Sequence, residues 1–154
     1  MKYQSTKTYT AERGLSCCFR QHRANSHCNQ LHGYAIGFSF TFESNELNYA
    51  NWVVDFGDMK SVKAWLDKTF DHTCLVAEDD PDLREFHAMN VCGIVDLRIL
   101  PKVGCEAFAE LAAKYVMAWL DEAGYAPRVR LKSAECREHA GNSALYFPVY
   151  ENVR

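Results

Sequence analysis

The amino-acid sequence predicts a single α+β domain built around an antiparallel sheet. Three runs of residues support this fold class: alternating phenylalanines over 35–43, apolar residues at helical spacing over 104–122, and two strand-like runs over 128–137 and 144–150. With a second helix over 59–70, the predicted order is strand, strand, helix, helix, strand, strand. Because an open sheet of four strands exposes its edges, we also expect copies of the chain to assemble.

The first clearly delimited strand covers 35–43. Ile36, Phe38, Phe40 and Phe42 alternate there with small or polar residues, which is typical of a strand with one buried face. Counting back with the same period of two places His32 and Tyr34 on that buried face, at the mouth of the strand. Two polar side chains are unusual at buried positions whose only role is packing.

Two helices follow from their apolar spacing. The first is predicted to be capped by Asp58, and the second to end before Gly124 and Pro127. The predicted core stripes are Met59, Val62, Leu66 and Phe70 in the first helix and Cys105, Phe108, Ala112, Tyr115 and Trp119 in the second.

The last two strands form a predicted hairpin. Val129 and Leu131 lie on one face of the strand over 128–137, and the turn HAGNS over 139–143 leads to its partner over 144–150. Between the two helices, residues 82–103 read as an irregular excursion with a possible short helix and a short strand.

Composition excludes several classes of function. A length of 154 residues with 48% hydrophobic residues indicates one domain, covering 1–154. The net charge of −3 and the scattered basic residues argue against nucleic acid as a partner. No apolar run approaches the ~20 residues that a membrane span requires, and the stretch MKYQSTKTYT lacks the apolar centre of a signal peptide. We therefore expect a soluble, cytoplasmic protein with no membrane partner.

The seven cysteines are expected to be reduced thiols, metal ligands or a nucleophile, since no secretory signal precedes them and no two form a CxxC pair. Zinc requires three or four N, S or O ligands. One short span offers six N and S donors: Cys17, Cys18, His22, His27, Cys28 and His32. The density is suggestive, but no pair has the spacing of a zinc module.

Two further places concentrate titratable groups. A carboxylate beside a histidine, as in Asp71 and His72, can orient the imidazole, and such an imidazole can activate a thiol such as Cys28. Asp71 and His72 can equally form a surface pair at the end of a helix. The other place is Glu135 with Glu138 and His139, which can also be no more than a solvated turn.

Taken together, these residues resemble the 6-pyruvoyltetrahydropterin synthase and 6-carboxytetrahydropterin synthase family. CNQLHGY over 28–34 is similar to the C-x-x-L-H-G-H segment of that family, WVVDFGDMK over 52–60 to V-x-D-F-x-x-L-K, and FDH over 70–72 to L-D-H. Glu106 stands where P-T-x-E places its glutamate, and Glu138 precedes Tyr146 by eight residues, as the late glutamate of the family precedes the final strand. The five motifs occur in the family's order through nearly the whole chain.

The resemblance implies a tunnelling fold, in which a four-stranded antiparallel sheet with two helices on one face assembles into an oligomeric barrel. Family members are commonly hexamers made of two trimers, with active sites at subunit contacts. From the positions that match the family's motifs, the resemblance implies that Cys28 is the general base or proton shuttle and that Asp71 and His72 are its relay partners. It also implies that Glu138 and Glu106 bind the pterin substrate.

The predicted zinc site departs from the family. Tyr34 replaces the last histidine of L-H-G-H, and no F-x-A-A-H segment occurs upstream, so that only His32 carries over directly. Cys17 best matches the position of the first-strand histidine, and His27 or His22 can supply the missing imidazole. We therefore expect one Zn²⁺ per subunit, held by His32, Cys17 and His27.

A second departure is the length of chain between His72 and Glu106, from which we predict an inserted lobe over about 76–103. The expected activity is conversion of 7,8-dihydroneopterin triphosphate to 6-carboxy-5,6,7,8-tetrahydropterin on the route to queuosine and other 7-deazaguanines. The alternatives are 6-pyruvoyltetrahydropterin synthesis and a pterin-binding paralogue without catalysis, the latter suggested by Tyr34.

Overall fold

The computed structural model describes residues 1–10, 12 and 14–150, and their strands form two sheets. The strands are β1 (Tyr3–Tyr9), β2 (Ser16–Phe19), β3 (His32–Ala35), β4 (Gly37–Ser44), β5 (Thr73–Ala77), β6 (Leu97–Leu100), β7 (Val129–His139) and β8 (Asn142–Tyr146). The α-helices are α1 (Lys60–Phe70), α2 (Leu83–Val91) and α3 (Cys105–Glu122). Within the described ranges, no helix is long and apolar enough to cross a membrane.

The first sheet confirms the predicted antiparallel sheet of four strands, in the order β1-β4-β7-β8. Phe38, Phe40 and Phe42 of β4 are all buried, as their alternation predicts. On the opposite face, the hydroxyl groups of Thr8 and Ser39 lie 2.9 Å apart across β1 and β4. The sheet therefore has one apolar face and one polar face.

The phenylalanine face is covered by α1 and α3, which pack against each other. Phe70 at the end of α1 contacts Phe38, with ring centroids 4.9 Å apart, and Phe108 of α3, with centroids 5.4 Å apart. On the outer side, Trp65 and Tyr115 stack with centroids 4.3 Å apart. The two predicted helices are thus confirmed, and their predicted core residues are buried apart from Tyr115, which is half-buried.

The start of α1 differs from the sequence prediction. A 3₁₀ turn over Phe56–Met59 precedes the helix, and the carboxylate that caps this turn belongs to Asp55, which accepts a hydrogen bond from the Gly57 amide at 2.7 Å. The predicted cap, Asp58, instead accepts a hydrogen bond from the Tyr125 hydroxyl at 2.6 Å. The prediction was wrong because the extra turn moves the helix start to Lys60.

The C-terminal hairpin is tighter than predicted. Its turn is Ala140 and Gly141 alone, so β7 runs on to His139 and β8 ends at Tyr146. Residues 147–150 are not part of β8, contrary to the prediction. The hydroxyl of Tyr150 both donates to the Leu131 carbonyl and accepts from the Leu131 amide, each at 2.9 Å, so a side chain takes the place of strand pairing here.

The second sheet, in the order β3-β2-β5-β6, is not foreseen by the sequence prediction. β2 and β3 pair antiparallel, whereas β5 pairs parallel with both β2 and β6. β5 is buried along its whole length, so it shows no alternation from which to recognise a strand. Residues 76–103 complete this sheet with β6 and cover it with α2, which contributes Phe86 to a small second core with Cys74 and Val76.

An ion pair fixes the end of β2 to the loop after β5. The Arg20 guanidinium donates to both carboxylate oxygens of Asp80, at 2.9 and 2.5 Å, and to Asp82 at 2.6 Å. The Asp80 side chain is 1% exposed, and the hydrogen bonds from Arg20 hold the pKa of its carboxyl below the usual value. A bidentate pair in this position fixes the two segments in one relative orientation.

Replacing Asp80 by asparagine is expected to reduce the free energy of unfolding at pH 7 by about 1 to 3 kcal/mol, because Arg20 loses its buried bidentate partner and keeps only the exposed carboxylate of Asp82 as counter-charge. A lowered folded-state pKa adds stability that is complete above the unfolded pKa of about 4 and is lost as the pH falls through the folded value. Urea unfolding of both proteins at several pH values checks this: the gap between them should narrow below about pH 4. A constant gap would mean that the charge of Asp80 is not responsible.

Candidate functional site

Cys28 lies on the loop between β2 and β3, in a 3₁₀ turn over His27–Asn29. The Ser26 hydroxyl caps this turn by accepting a hydrogen bond from the Cys28 amide at 3.3 Å, and the Cys28 carbonyl accepts one from the Gln21 amide at 2.8 Å. The Cys28 thiol is half-buried, whereas His27 beside it is exposed. Backbone hydrogen bonds therefore fix Cys28 in place although it belongs to a loop.

Tyr34 of β3 lies among three aromatic rings. Its ring packs near Phe19, His32 and His139, with centroid distances of 6.0, 5.5 and 6.2 Å. Burial raises the pKa of Tyr34, and the negative charges of Glu138 and Cys28 raise this pKa further. The hydroxyl group is therefore within electrostatic reach of both, and it stays protonated as a hydrogen-bond donor.

Glu138 is half-buried on β7. Among the described residues, no hydrogen bond or ion pair to its carboxylate is found, whereas Glu135 on the same strand is paired with Arg137. His139 uses Nδ1 to accept a hydrogen bond from the Gly141 amide at 3.1 Å, which makes it part of the turn. Of the two glutamates and the histidine that the sequence grouped, Glu138 is the one with a carboxylate available to a ligand.

Glu106 is exposed in the first turn of α3, where a carboxylate also stabilises the helix dipole. The preceding Gly104 is close enough that a Cβ atom on it would lie 3.8 Å from Glu106 Oε2 and 2.2 Å from Gln21 Nε2. Glu106 therefore stands close to the base of the loop that carries Cys28.

Asp71 and His72 form the pair that the sequence predicts. Asp71 Oδ1 lies 2.9 Å from His72 Nδ1, and it also accepts a hydrogen bond from the Ser16 amide at 3.3 Å. The His72 amide donates to the Ser16 carbonyl at 2.6 Å, which holds His72 in the left-handed region at φ +54°. The imidazole is 85% exposed. An oriented, exposed histidine on a strained backbone is characteristic of a functional position.

The structure does not join these two groups directly. In residues 1–10, 12 and 14–150, no hydrogen bond or ion pair connects Cys28 with Asp71 or His72. His72 and Tyr34 do border the same open cavity of about 510 Å³, together with Cys17, Cys18 and Gly33. A single chain therefore places Tyr34 and His72 at one cavity, whereas Cys28 and Glu138 are linked to Tyr34 through the effect of their charges on its pKa.

The predicted zinc ligands are spread out in this arrangement. Cys17 is buried, which raises the pKa of its thiol to about 12 and keeps it neutral, whereas His27 is exposed. Cys17 pairs with Tyr34 and His32 with Phe19 across β2 and β3, with one further cross-strand pair between them, and His32 Nδ1 is engaged with the Gln30 carbonyl at 2.7 Å. Within the described ranges, no group of three or more His, Cys, Asp or Glu could hold a metal ion. The donor set does not fit zinc in the single chain, and zinc binding stays a prediction.

Cys105 and Cys136 are both buried, whereas Cys28 is half-buried. Their sulfur atoms lie 3.4 Å apart, and the hydrogen bond to Cys105, followed by burial, raises the pKa of Cys136 strongly. A second thiol pair, Cys18 and Cys74, lies in register across β2 and β5, where the hydrogen bond from Cys74 lowers the pKa of Cys18 to about 7.

The family model for 6-pyruvoyl tetrahydropterin synthase matches residues 8–148. The chain belongs to this family. Members of the 6-pyruvoyl tetrahydropterin synthase family are lyases that act on pterins. The resemblance deduced from the five motifs is thereby confirmed.

Two relatives carry the name 6-carboxy-5,6,7,8-tetrahydropterin synthase. The protein from Aquifex aeolicus is 24% identical over 166 aligned positions, which cover 95% of this chain and 98% of that protein. The protein from Rickettsia bellii is 32% identical over 66 residues, which cover 40% of this chain and 48% of that protein. The second match thus spans about half of its relative.

Solved structures confirm the fold of the 6-pyruvoyl tetrahydropterin synthase family. An uncharacterised protein from Wolinella succinogenes superposes with a TM-score of 0.79 at 17% identity, over 94% of this chain and 97% of that one. The 6-pyruvoyl tetrahydropterin synthase of Plasmodium falciparum superposes with a TM-score of 0.65 at 13% identity, over 96% and 99% of the two chains. At these identities the likeness concerns the fold alone.

Two residues near Cys28 were missed or undervalued by the sequence analysis. Tyr34 was predicted to lie with His32 at the mouth of the strand over 35–43, whereas both belong to β3, a separate strand of the second sheet. Gln21 had no signal, because its contacts with Cys28 and with the start of α3 depend on how distant segments meet.

Because the backbone of His72 is strained, a suitable substitution there is expected to reduce turnover without lowering the stability of the fold. His72→Asn keeps a residue that tolerates positive φ and should leave the free energy of unfolding unchanged or raise it by up to about 1 kcal/mol, while it removes the imidazole. We expect pterin-dependent turnover to fall by at least about a hundredfold.

The matched control is Asn51→Gly, which changes the other non-glycine residue at positive φ in the described ranges, at φ +65°. This variant should keep full turnover. Unfolding curves and initial rates of both variants check the prediction, and a His72→Asn protein with wild-type turnover would remove His72 from the site.

Proposed function

We propose that this chain is a 6-carboxy-5,6,7,8-tetrahydropterin synthase. It would convert 7,8-dihydroneopterin triphosphate to 6-carboxytetrahydropterin, releasing acetaldehyde and triphosphate, as in the route to queuosine and other 7-deazaguanines. The names of the two curated relatives support this product. The observation that carries the proposal is the half-buried carboxylate of Glu138, which has no partner among the described residues and which, like Cys28, acts through its charge on the pKa of Tyr34.

In this proposal, Glu138 binds the pterin ring. The guanidine-like edge of a pterin presents two parallel N–H donors, and a carboxylate accepts such a pair in a bidentate arrangement. Because Glu138 is half-buried and has no protein partner among the described residues, it can form this pair without first breaking another. Glu106, exposed at the start of α3, is proposed as a second substrate-binding carboxylate.

Cys28 is proposed to move the proton of the substrate side chain. Its turn is held by hydrogen bonds to Ser26 and Gln21, so the thiol has a fixed position relative to the ring bound by Glu138. Tyr34, kept neutral by its raised pKa, can donate a hydrogen bond to a developing negative charge on the substrate.

Asp71 and His72 are proposed as the relay partners of a cysteine, with Asp71 fixing the imidazole orientation. Because a single chain leaves this pair exposed and unconnected to its own Cys28, we propose that the complete site forms between copies of the chain, in a hexamer built from two trimers. The exposed edges of β1 and β8 are consistent with such assembly into a barrel.

Two other functions are kept as alternatives. In 6-pyruvoyltetrahydropterin synthesis, the same groups would eliminate triphosphate without releasing acetaldehyde. A pterin-binding paralogue without catalysis is favoured by one observation, the presence of Tyr34 where the family's metal-binding histidine is expected. Such a binder would need Glu138 but would have no need of Cys28, Asp71 and His72.

Product analysis after incubation with 7,8-dihydroneopterin triphosphate tests these alternatives. We expect acetaldehyde and triphosphate in equal amounts, with turnover reduced at least about a hundredfold in Cys28→Ala because the proton-transfer group is removed. Glu138→Gln should mainly raise KM, since an amide cannot accept two parallel N–H donors as well as a carboxylate does.

Triphosphate without acetaldehyde would identify pyruvoyltetrahydropterin synthesis instead. Undiminished turnover by Cys28→Ala would exclude the proposed role of Cys28. Pterin binding by a wild-type chain that releases neither product would favour the non-catalytic paralogue.

Zinc is a separate question, and no step above depends on it. When bound, zinc polarises substrate hydroxyl groups so that neighbouring C–H protons become easier to remove. The ligand set implied by the family predicts about one zinc per chain, reduced in both His32→Ala and Cys17→Ala. Absence of zinc from wild-type protein purified without chelators would mean that the donors stay apart, and it would favour the non-catalytic paralogue. Metal analysis of the three proteins decides between these two outcomes.

A further inference from the structure

We propose that Gln21 is a positioning residue for Cys28, and that the segment over 76–103 serves to fix the loop that carries both. The loop covers 20–31, between β2 and β3. The expected effect of Gln21 on turnover rests on the proposed function. The expected effect of Gln21 on the reactivity of the Cys28 thiol does not. The proposal gives the predicted insert a role in the site although it contributes none of the reacting groups.

Gln21 bonds to two separate parts of the molecule. Its backbone amide donates to the Cys28 carbonyl at 2.8 Å, closing the loop on itself. Its side-chain amide donates to the Val103 carbonyl, also at 2.8 Å, at the end of the 76–103 segment. One residue therefore ties the turn of Cys28 to the chain immediately before α3.

The space for this contact exists because residue 104 is glycine. Gly104 has φ +111°, which other residues rarely adopt, and a Cβ atom on it would lie 2.2 Å from Gln21 Nε2. No ordinary side chain fits there while Gln21 keeps its hydrogen bond. Cys105 and Glu106 follow directly, so the same contact sets the distance between the Cys28 loop and the proposed substrate-binding glutamate of α3.

The residue before Gln21 is held just as firmly. Arg20 makes its bidentate pair with the buried carboxylate of Asp80, and Asp82 accepts a further hydrogen bond from it. Asp80 and Asp82 both belong to the 76–103 segment, and so does Val103. Consecutive residues at the start of the loop are thus anchored to opposite ends of that segment.

These contacts restrain the Cys28 thiol in two directions. A shift of the loop away from α3 would break the bond from Gln21 to Val103, and a shift away from β5 would break the pair between Arg20 and Asp80. Misplacing a reacting group by about 1 Å can cost a hundredfold in rate, so restraint at this position matters for catalysis even though none of these residues touches substrate.

The test measures how fast iodoacetamide alkylates Cys28 in the folded full chain, with modified sites located by peptide mass spectrometry. Cys92, an exposed thiol away from the loop, provides an internal reference in each sample. Gln21→Leu removes both donors of the side-chain amide at similar volume, and Arg20→Lys keeps the charge but loses the bidentate fork. In both variants, we expect the Cys28-to-Cys92 rate ratio to rise at least about threefold, as the half-buried thiol becomes more accessible.

Steady-state kinetics on 7,8-dihydroneopterin triphosphate provides the second readout. We expect kcat to fall by about tenfold or more in Gln21→Leu, with a much smaller change in KM, because the bound substrate keeps Glu138 while the thiol is displaced. A purely structural role for Gln21 would lower the melting temperature without moving either the alkylation ratio or kcat under native conditions.

Asp96→Asn is the matched control, since it breaks an exposed ion pair with Arg98 in the same segment that does not contact the loop. Its alkylation ratio should equal that of the wild type. An unchanged ratio in both Gln21→Leu and Arg20→Lys would overturn the proposal, and if Gln21→Leu does not fold, Arg20→Lys decides alone. A raised ratio in a chain without wild-type turnover would refute the proposed function while supporting the positioning role.

Discussion

Burial of the phenylalanine face of β4 is the constraint on which the rest of the structure depends. Phe38, Phe40 and Phe42 have almost no solvent exposure, and only two packed helices supply enough apolar surface to cover them. Phe70, the last residue of α1, takes part in this core. The packing of Phe70 therefore determines where the helix ends and where Asp71 and His72 emerge.

The same core also positions the opposite side of the site. Phe19 at the end of β2 meets Phe108 of α3 edge-to-face, with ring centroids 5.2 Å apart, and through this contact the second sheet joins the first core. His32 and Tyr34 pack against Phe19 on its other side. The polar groups of the candidate site are thus placed by aromatic packing, while their own hydrogen bonds determine their orientation.

The sequence predicted the parts of the fold whose signals are local. A period of two revealed β4, a spacing of three and four revealed α1 and α3, and ordered motifs revealed the family, whereas the roles of the site residues stay a prediction. The second sheet was not predicted, for two reasons. β2 and β3 have only four residues each. β5 is buried on both faces and pairs in parallel with a strand more than fifty residues away, so its sequence shows no alternation. The helix cap was predicted wrongly for a related reason. Asp55 and Asp58 are both suitable capping residues by type, and only the added 3₁₀ turn decides between them. For the site, the motifs predict candidate residues, but how these residues are grouped in space could not be predicted, since it depends on which ends of distant strands meet.

The hydroxyl of Tyr150 has a consequence for how the first sheet can grow. It occupies both the amide and the carbonyl of Leu131, which would otherwise invite a foreign strand to pair with the stretch of β7 beyond the end of β8. On this side of the sheet, an incoming strand can then add only along the five residues of β8, whereas β1 forms the opposite edge. A short edge of this kind permits one register and discourages the sliding, open-ended addition from which fibrous aggregates arise.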